Sequence, residues 1–318
     1  MKRSATLGIA VAAAVVGIGS VTWFNIGRQA SETVRIATFS TAIDYAPYFV
    51  AKANGYFDEE LGRIGMVPAY SRFESLPPLN DALQHNQLDA VFEAEPPAFI
   101  AEASGTDVSV IEVSATLTQK IIARANSGIR SMADLRGRKI GVLTGTSSHY
   151  GILRQLENAG LSPSDVELVN VAPVDARAAF ESGQIDAWAV WPPFPEHEQA
   201  AGRAVEVPGS AAVIQSLLVV DGDFARSNPA AMRAIDTAVD RAKAFIVSNP
   251  EKAQELVAAA TGEPIAVVRA AWSKHNFAAT LDASVRADID QKARFLFANK
   301  FIAKPVNPER DLFVKGNQ

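Results

Sequence analysis

The chain has 318 residues, beyond the roughly 250–300 at which one hydrophobic core stops growing and chains divide into lobes or domains. It is 48% hydrophobic and 20% charged, which excludes a disordered chain. A net charge of -5 with no basic block argues against nucleic acid as a partner, and the absence of cysteine removes disulfides, thiolate metal sites, iron–sulfur clusters and cysteine nucleophiles.

Lys2 and Arg3 precede an uncharged run from Ser4 to Gly27, apolar over Ala5 to Phe24. A positive start followed by an apolar stretch reads as an export signal. Its length nears the roughly 20 residues that cross a bilayer. Trp23, Phe24 and Asn25 crowd the place where a small-x-small cleavage site belongs. Residues 1–30 are therefore read as a signal peptide or, uncleaved, as an inner-membrane anchor over 5–27. The remainder is read as a domain outside the cytoplasm.

The next segments repeat one plan. Val34 to Phe39 reads as a strand that leads into the turn 40–45 and a helix stopping at Gly55. Lys139 to Thr144 reads as a second strand, leading into the turn 145–150 and a helix stopping at Gly160. Thr41, Tyr45 and Gly55 match Thr146, Tyr150 and Gly160 at an offset of 105. Asp81 to Ala90 then matches Ala178 to Ala187 at an offset of 97, pairing Asn86 with Gly183, two residue types that tolerate positive φ. The difference of eight residues falls on Tyr56 to Leu61. Each unit closes on a Pro-Pro pair, Pro96-Pro97 and Pro192-Pro193, expected in loops. Strands alternating with helices predict two α/β lobes with mainly parallel sheets. Ligand sites in such sheets lie beyond the carboxyl ends of the strands. Facing lobes bring both turn loops and both Pro-Pro loops to one cleft.

Ala211 to Asp221 reads as a returning strand, and helices follow from Pro229, from Pro250 and near Ala283 to Ala298. No third strand-loop unit accompanies them, so they are expected to pack on the first lobe. The division is 31–118 for the first part of lobe 1, 119–216 for an inserted lobe 2, and 217–318 for the return of lobe 1. Hinge crossings are expected near 116–122 and 214–220.

The segments Ala51 to Phe57, Pro77-Pro78-Leu79, Glu95-Pro96-Pro97, Met132 to Ile140, Gly145 to Tyr150, Ala178 to Gly183 and Asp186 to Trp191 carry a family resemblance. This layout resembles the periplasmic solute-binding proteins of ABC importers, of type II fold. More closely, it resembles the aliphatic sulfonate and taurine branch, neighbour to nitrate and thiamine-precursor binders. The resemblance covers about 33 to 248. It implies two hinged lobes in the periplasm that close on a small organosulfonate and deliver it to a membrane permease with a cytoplasmic ATPase. A monomer with no cofactor, no metal and no chemistry of its own is implied as well. The chain departs from the sulfonate pattern at Glu74-Ser75-Leu76, where a small pair is common, and at Phe92-Glu93-Ala94-Glu95, which carries two acids.

A sulfonate is an ionised tetrahedral group that needs several donors. Thr146, Ser147 and Ser148 stand where a helix begins, and its first-turn N–H groups with nearby hydroxyls suit such an anion. The same residues suit an ordinary N-cap. His149 is a donor candidate or a packing residue. Trp188 and Trp191 offer an aromatic wall; on a period of two they face opposite ways, so at most one of them lines a pocket. Thr41 and Tyr45 have similar standing. Glu74, Ser75, Glu93, Glu95 and Asp44 are the oddity. Acids in a cleft hold an ammonium or a protonated aminopyrimidine; on a rim they are merely solvated or bond neighbouring N–H groups.

Two rivals remain. The enzymes of the resembled fold, a sulfinate desulfinase and a thiamine-pyrimidine synthase, imply cysteine chemistry that this chain lacks. Glu196-His197-Glu198 is expected as a surface run, since adjacent helical side chains point apart. A membrane-tethered sensor module of the same fold is the other rival. Within the binding role itself, the alternative ligand is a cationic or zwitterionic one such as a pyrimidine precursor.

Overall fold

The computed structural model describes residues 32–39, 42–74 and 76–313. The signal or anchor segment, Thr41 and Ser75 lie outside the described residues. The chain runs β1 (Glu32–Phe39), α1 (Ala46–Ala53), α2 (Tyr56–Gly62), β2 (Met66–Phe73), α3 (Leu76–Gln84), β3 (Ala90–Ala94), α4 (Glu95–Ser104) and β4 (Val108–Gln119). It continues through β5 (Ile121–Arg124), β6 (Lys139–Val142), α5 (Ser147–Asn158), β7 (Glu167–Asn170), α6 (Pro173–Ser182), β8 (Ala187–Ala189), α7 (Phe194–Ala200) and β9 (Ala204–Glu206). It returns through β10 (Ala212–Asp221), α8 (Gly222–Ser227), α9 (Pro229–Ser248), α10 (Pro250–Thr261), α11 (Ile265–Trp272), β11 (His275–Asn276), α12 (Ala283–Ala298) and α13 (Pro308–Asp311). No helix among the described residues is long and apolar enough to cross a membrane.

Two sheets result, in the orders β11-β4-β10-β3-β1-β2 and β7-β6-β8-β5-β9. Each is mixed. The repeated units supply parallel pairs, β1 with β2 and β3, and β6 with β7 and β8. The antiparallel pairs have a topological cause. The chain leaves the first sheet along β4 and comes back along β10, so these strands lie side by side in opposite directions. It passes between the sheets at Lys120 and across 207–211. The second crossing thus precedes the expected 214–220, because Ala212 to Ser216 already pair with β4.

The duplication is visible in the contacts. Asp89 in the first unit accepts from the Arg35 N–H within β1, and Asp186 in the second accepts from the Lys139 N–H at 3.1 Å at the start of β6. Their own N–H groups donate back to the Arg35 and Lys139 carbonyls. Gly55, Gly160 and Gly183 take φ of 72°, 69° and 80°, and Asn86 takes 52°, so both units end their helices in the left-handed region. Tyr56 to Leu61, where the surplus of the first unit falls, form most of α2. Pro192-Pro193 form the expected turn, ahead of α7, and Pro96-Pro97 do not. Pro96 and Pro97 occupy the first turn of α4, where the missing N–H costs nothing. Pro193 is the residue before α7.

The C-terminal helices pack mainly on the first sheet and its helices: α9 on α1 and α2, α10 on α1, and α12 on α4. Lys243 on α9 shows how tightly. It is buried, and its Nζ donates to Glu112 and the Val113 carbonyl on β4 and to the Ala279 carbonyl. Removing one partner of a buried pair leaves an uncompensated charge. Lys243→Met should lower the unfolding free energy by about 3–5 kcal/mol. Adding Glu112→Gln should restore part of it, with both measured by urea titration.

Candidate functional site

The strand ends of both lobes meet at one small cavity. The first lobe contributes Phe39 at the end of β1, Ala42 and the 3-10 turn Ile43–Tyr45, and Ala94 and Pro97 at the β3–α4 junction. The second contributes Thr146 and Ser147 at the start of α5, and Trp191 after β8. The cavity volume is about 10 Å³, the room of one water, so the lobes lie nearly closed on each other.

The start of α5 is open. The Thr146 hydroxyl turns back to donate to the Leu143 carbonyl at 2.7 Å, and no side chain caps the helix. First-turn N–H groups have no acceptor inside their own helix. Those of Ser147 and Ser148 therefore stand at the cavity end of a 12-residue helix, with the positive end of its dipole. Among the described residues, no lysine, arginine or histidine lines the cavity. Arg124, Arg154 and Arg177 are engaged with Asp186, Glu157 and Glu198.

Opposite stands Asp44, only 4% exposed. Its Oδ2 accepts from the Ser216 hydroxyl of β10, while Oδ1 has no partner. Burial pushes this carboxyl up to about 6 against the pull of that hydrogen bond. Tyr45 beside it is buried, and the charges of Asp44 and Glu93 add to burial in raising its phenol. The walls between are apolar: Leu117, Pro97, and Trp191 with its ring 6.0 Å from Phe39.

Asp44, Tyr45, Thr146, Ser147 and Trp191 are thus brought together. The side chains of the other described candidates stand elsewhere. Glu74 is exposed and pairs with Arg72 at 2.6 Å. Glu95 is buried, but it faces Lys292 of α12 and accepts from the Gln215 N–H. Lys292 also reaches Gln215 Oε1 and, at 2.8 Å, Asp288. Glu95 therefore belongs to a structural network that ties α4 to β10 and α12. Ser148 is buried, and its hydroxyl accepts from Gln119 Nε2 at 2.7 Å, joining α5 to the last residue of β4 beside the first crossing. His149 lies off the cavity wall, its ring 4.3 Å from that of Phe301. Burial lowers it to about 4, so it is neutral at physiological pH, and its Nδ1 accepts from the Gly145 N–H. Trp188 is a core residue between Phe180 and Phe194.

The surface run expected at Glu196-His197-Glu198 is corrected. Both glutamates are buried. Glu196 pairs with Lys274 at 2.7 Å, Glu198 with Arg203, and His197 with Glu263. Helix α7 packs against α11 and β9, and the turns that adjoin them bring the cations, Lys274 after α11 and Arg203 before β9.

Sequence reasoning missed Ser216 and Lys292. Lys292 had a signal: it falls on the apolar face of α12 with Ile289, Ala293 and Leu296, where a lysine needs a buried acid. Ser216 sits in a strand with no distinguishing pattern.

The NMT1/THI5-like family model matches residues 42–253. The chain belongs to this family. A relative from Escherichia coli (strain K12), named for aliphatic sulfonates binding, is 29% identical over 86% of this chain and 91% of its own. The taurine-binding periplasmic protein of the same strain is 25% identical, over 64% of each. The crystal structure of the periplasmic aliphatic sulphonate binding protein SsuA from Escherichia coli superposes with a TM-score of 0.78 at 25% identity, covering 89% of this chain and 97% of that one. These relatives are binding proteins, and the two-lobed α/β fold is theirs.

Glu93 does not line the cavity. It is wholly buried on β3 beside the cavity residue Ala94, with both carboxyl oxygens unpartnered. Burial raises it to about 8, so it is largely neutral at pH 7. Between about pH 4.5 and 8 the folded chain holds a proton there that the unfolded chain has released. Stability therefore falls as pH rises through that window. Glu93→Gln should remove this dependence, its advantage over the parent growing by up to roughly 1.4 kcal/mol per pH unit and levelling off above pH 8. Denaturant midpoints across pH 4–9 check it.

Proposed function

We propose that this chain is an extracytoplasmic solute-binding protein of an ABC importer that captures a small organosulfonate between its lobes. The observation that carries the reading is the uncapped start of α5, whose N–H groups and Ser147 side chain stand at the interlobe cavity with no carboxylate of their own lobe against them. A helix N-terminus favours a tetrahedral anion through oriented N–H groups and its dipole. The names of the Escherichia coli relatives support a sulfonate as that anion. The binding residues proposed are Asp44, Tyr45, Thr146, Ser147 and Trp191, with Thr41 and Ser75 kept as candidates.

A guest larger than a water does not fit the closed cavity, so capture requires the lobes to part and close again about Lys120 and 207–211. That hinge action is what a permease reads in an importer of this kind. The role needs no covalent chemistry: no cysteine is present, and the hydroxyl of Thr146 is spent on a backbone carbonyl. Export by residues 1–30 places the protein in the periplasm, and a permease with its ATPase would be its partners.

The reading is tested by thermal unfolding of a chain lacking residues 1–30 against alkanesulfonates, taurine, nitrate and an aminopyrimidine. A ligand at 100 times its dissociation constant should stabilise the fold by about 2.7 kcal/mol. Ser147→Asp, which puts a carboxylate at the helix start, should abolish the response to sulfonates. A response to the aminopyrimidine alone, or an unchanged sulfonate response in the variant, contradicts the reading.

A further inference from the structure

The buried acids of this chain follow a rule with two exceptions. Among the described residues, Glu60 faces Arg63 and Arg241, and Asp89 faces Arg35. Glu95 faces Lys292, Glu112 faces Lys243, Glu196 faces Lys274, and Glu198 faces Arg203. Asp221 has no cation but caps α8 through the Phe224 N–H. Asp44 and Glu93 alone have no cationic partner and no helix to cap. Both flank Tyr45, next to the cleft.

An ionised carboxylate out of water costs several kcal/mol unless a charge or donors meet it. The fold meets only half of Asp44. Ser216 holds Oδ2, which fixes the carboxyl plane, and Oδ1 is left bare on a residue that lines the cavity. Glu93 is not on the cavity wall, and as a neutral acid it adds no charge there. Among the described residues Asp44 is therefore the one negative centre at the cavity, and Thr146 and Ser147 at the opposite lobe form the positive one. Leu117, Pro97 and Trp191 line the space between with apolar surface. Donors at one end, an unmet acceptor at the other and a short apolar passage between them match a compact molecule that carries an anion and a cation on a short alkyl spacer.

We infer that the ligand of this cleft is an aminosulfonate, with its ammonium seated on Asp44 Oδ1 and its sulfonate at the start of α5. The inference rests on the organosulfonate reading and narrows it from sulfonates in general to zwitterionic ones. Ser216 acts as a positioning residue through its hold on Oδ2. The rival geometry, a protonated Asp44 donating to a sulfonate oxygen, requires no ammonium and predicts the opposite ligand preference.

Calorimetric titration with three probes separates these cases: taurine, N-acetyltaurine, whose nitrogen is uncharged, and ethanesulfonate, which has none. Taurine should bind at least about 10-fold more tightly than either of the others, the size of one charge-assisted hydrogen bond. Asp44→Asn should weaken taurine by about 10- to 100-fold while changing ethanesulfonate by less than about 3-fold. Because Asn removes a buried charge, the ligand-free variant should melt no lower than the parent, which separates lost binding from lost folding. Ser216→Ala should weaken taurine by a smaller factor and leave ethanesulfonate alone. Equal affinities for the three probes, or equal losses in Asp44→Asn, overturn the ammonium seat and leave the organosulfonate reading standing. Binding of none of them overturns both.

Discussion

An open helix start facing a half-satisfied carboxylate is the interaction on which the functional account depends. Neither group is remarkable in isolation. First-turn N–H groups are unmet in every helix, and side chains such as serine or aspartate commonly meet them. Here the Thr146 hydroxyl is turned away to Leu143, and the acid that could satisfy them belongs to the other lobe. Charge complementarity is thus stretched across the interlobe gap. A zwitterion would bridge it.

The rest of the molecule holds these two ends in place. β10 is the returning crossing strand, and its central residues carry the load. The Gln215 N–H donates to Glu95, and the Gln215 side chain meets Lys292 and Asp288. The next residue, Ser216, holds Asp44. The buried Glu95–Lys292 pair therefore locks α4 and α12 onto the strand that orients the cleft acid. On the other side, Gln119 at the end of β4 donates to Ser148 in the first turn of α5. A second ionic group lies near the crossings: Lys274 meets Glu196 and Glu206, and Glu206 also meets Lys120. Those lysines hold the Glu206 carboxyl down at about 2, overcoming its partial burial. That contribution is lost only as pH falls below the ordinary carboxylate range toward 2.

Much of this was legible in the residues because the chain says it twice. The strand, turn and helix of each unit end at glycines or an asparagine of positive φ, and Asp89 and Asp186 tie each unit to its own first strand. The turns at 42–45 and 146–147 could be placed at strand ends, hence at a cleft, from order alone. What could not be read was pairing over long separations. Glu95 looked like a cleft acid because its cation stands 197 residues away. Glu196 looked solvated for the same reason, its cation being Lys274; the cation of Glu198, Arg203, is only five residues on but lies beyond the end of α7. Trp188 and Trp191 were indistinguishable until β8 set one toward the core and left the other beyond its end. The antiparallel β4 and β10 follow from the double crossing, which no local pattern encodes.

The most direct measurement is a crystal structure of the chain grown with taurine. The account predicts closed lobes, sulfonate oxygens within hydrogen-bond distance of the Ser147 and Ser148 N–H groups, and nitrogen against Asp44 Oδ1. Density for the ligand away from the start of α5, or in the cleft with its sulfonate turned from those groups, would contradict it.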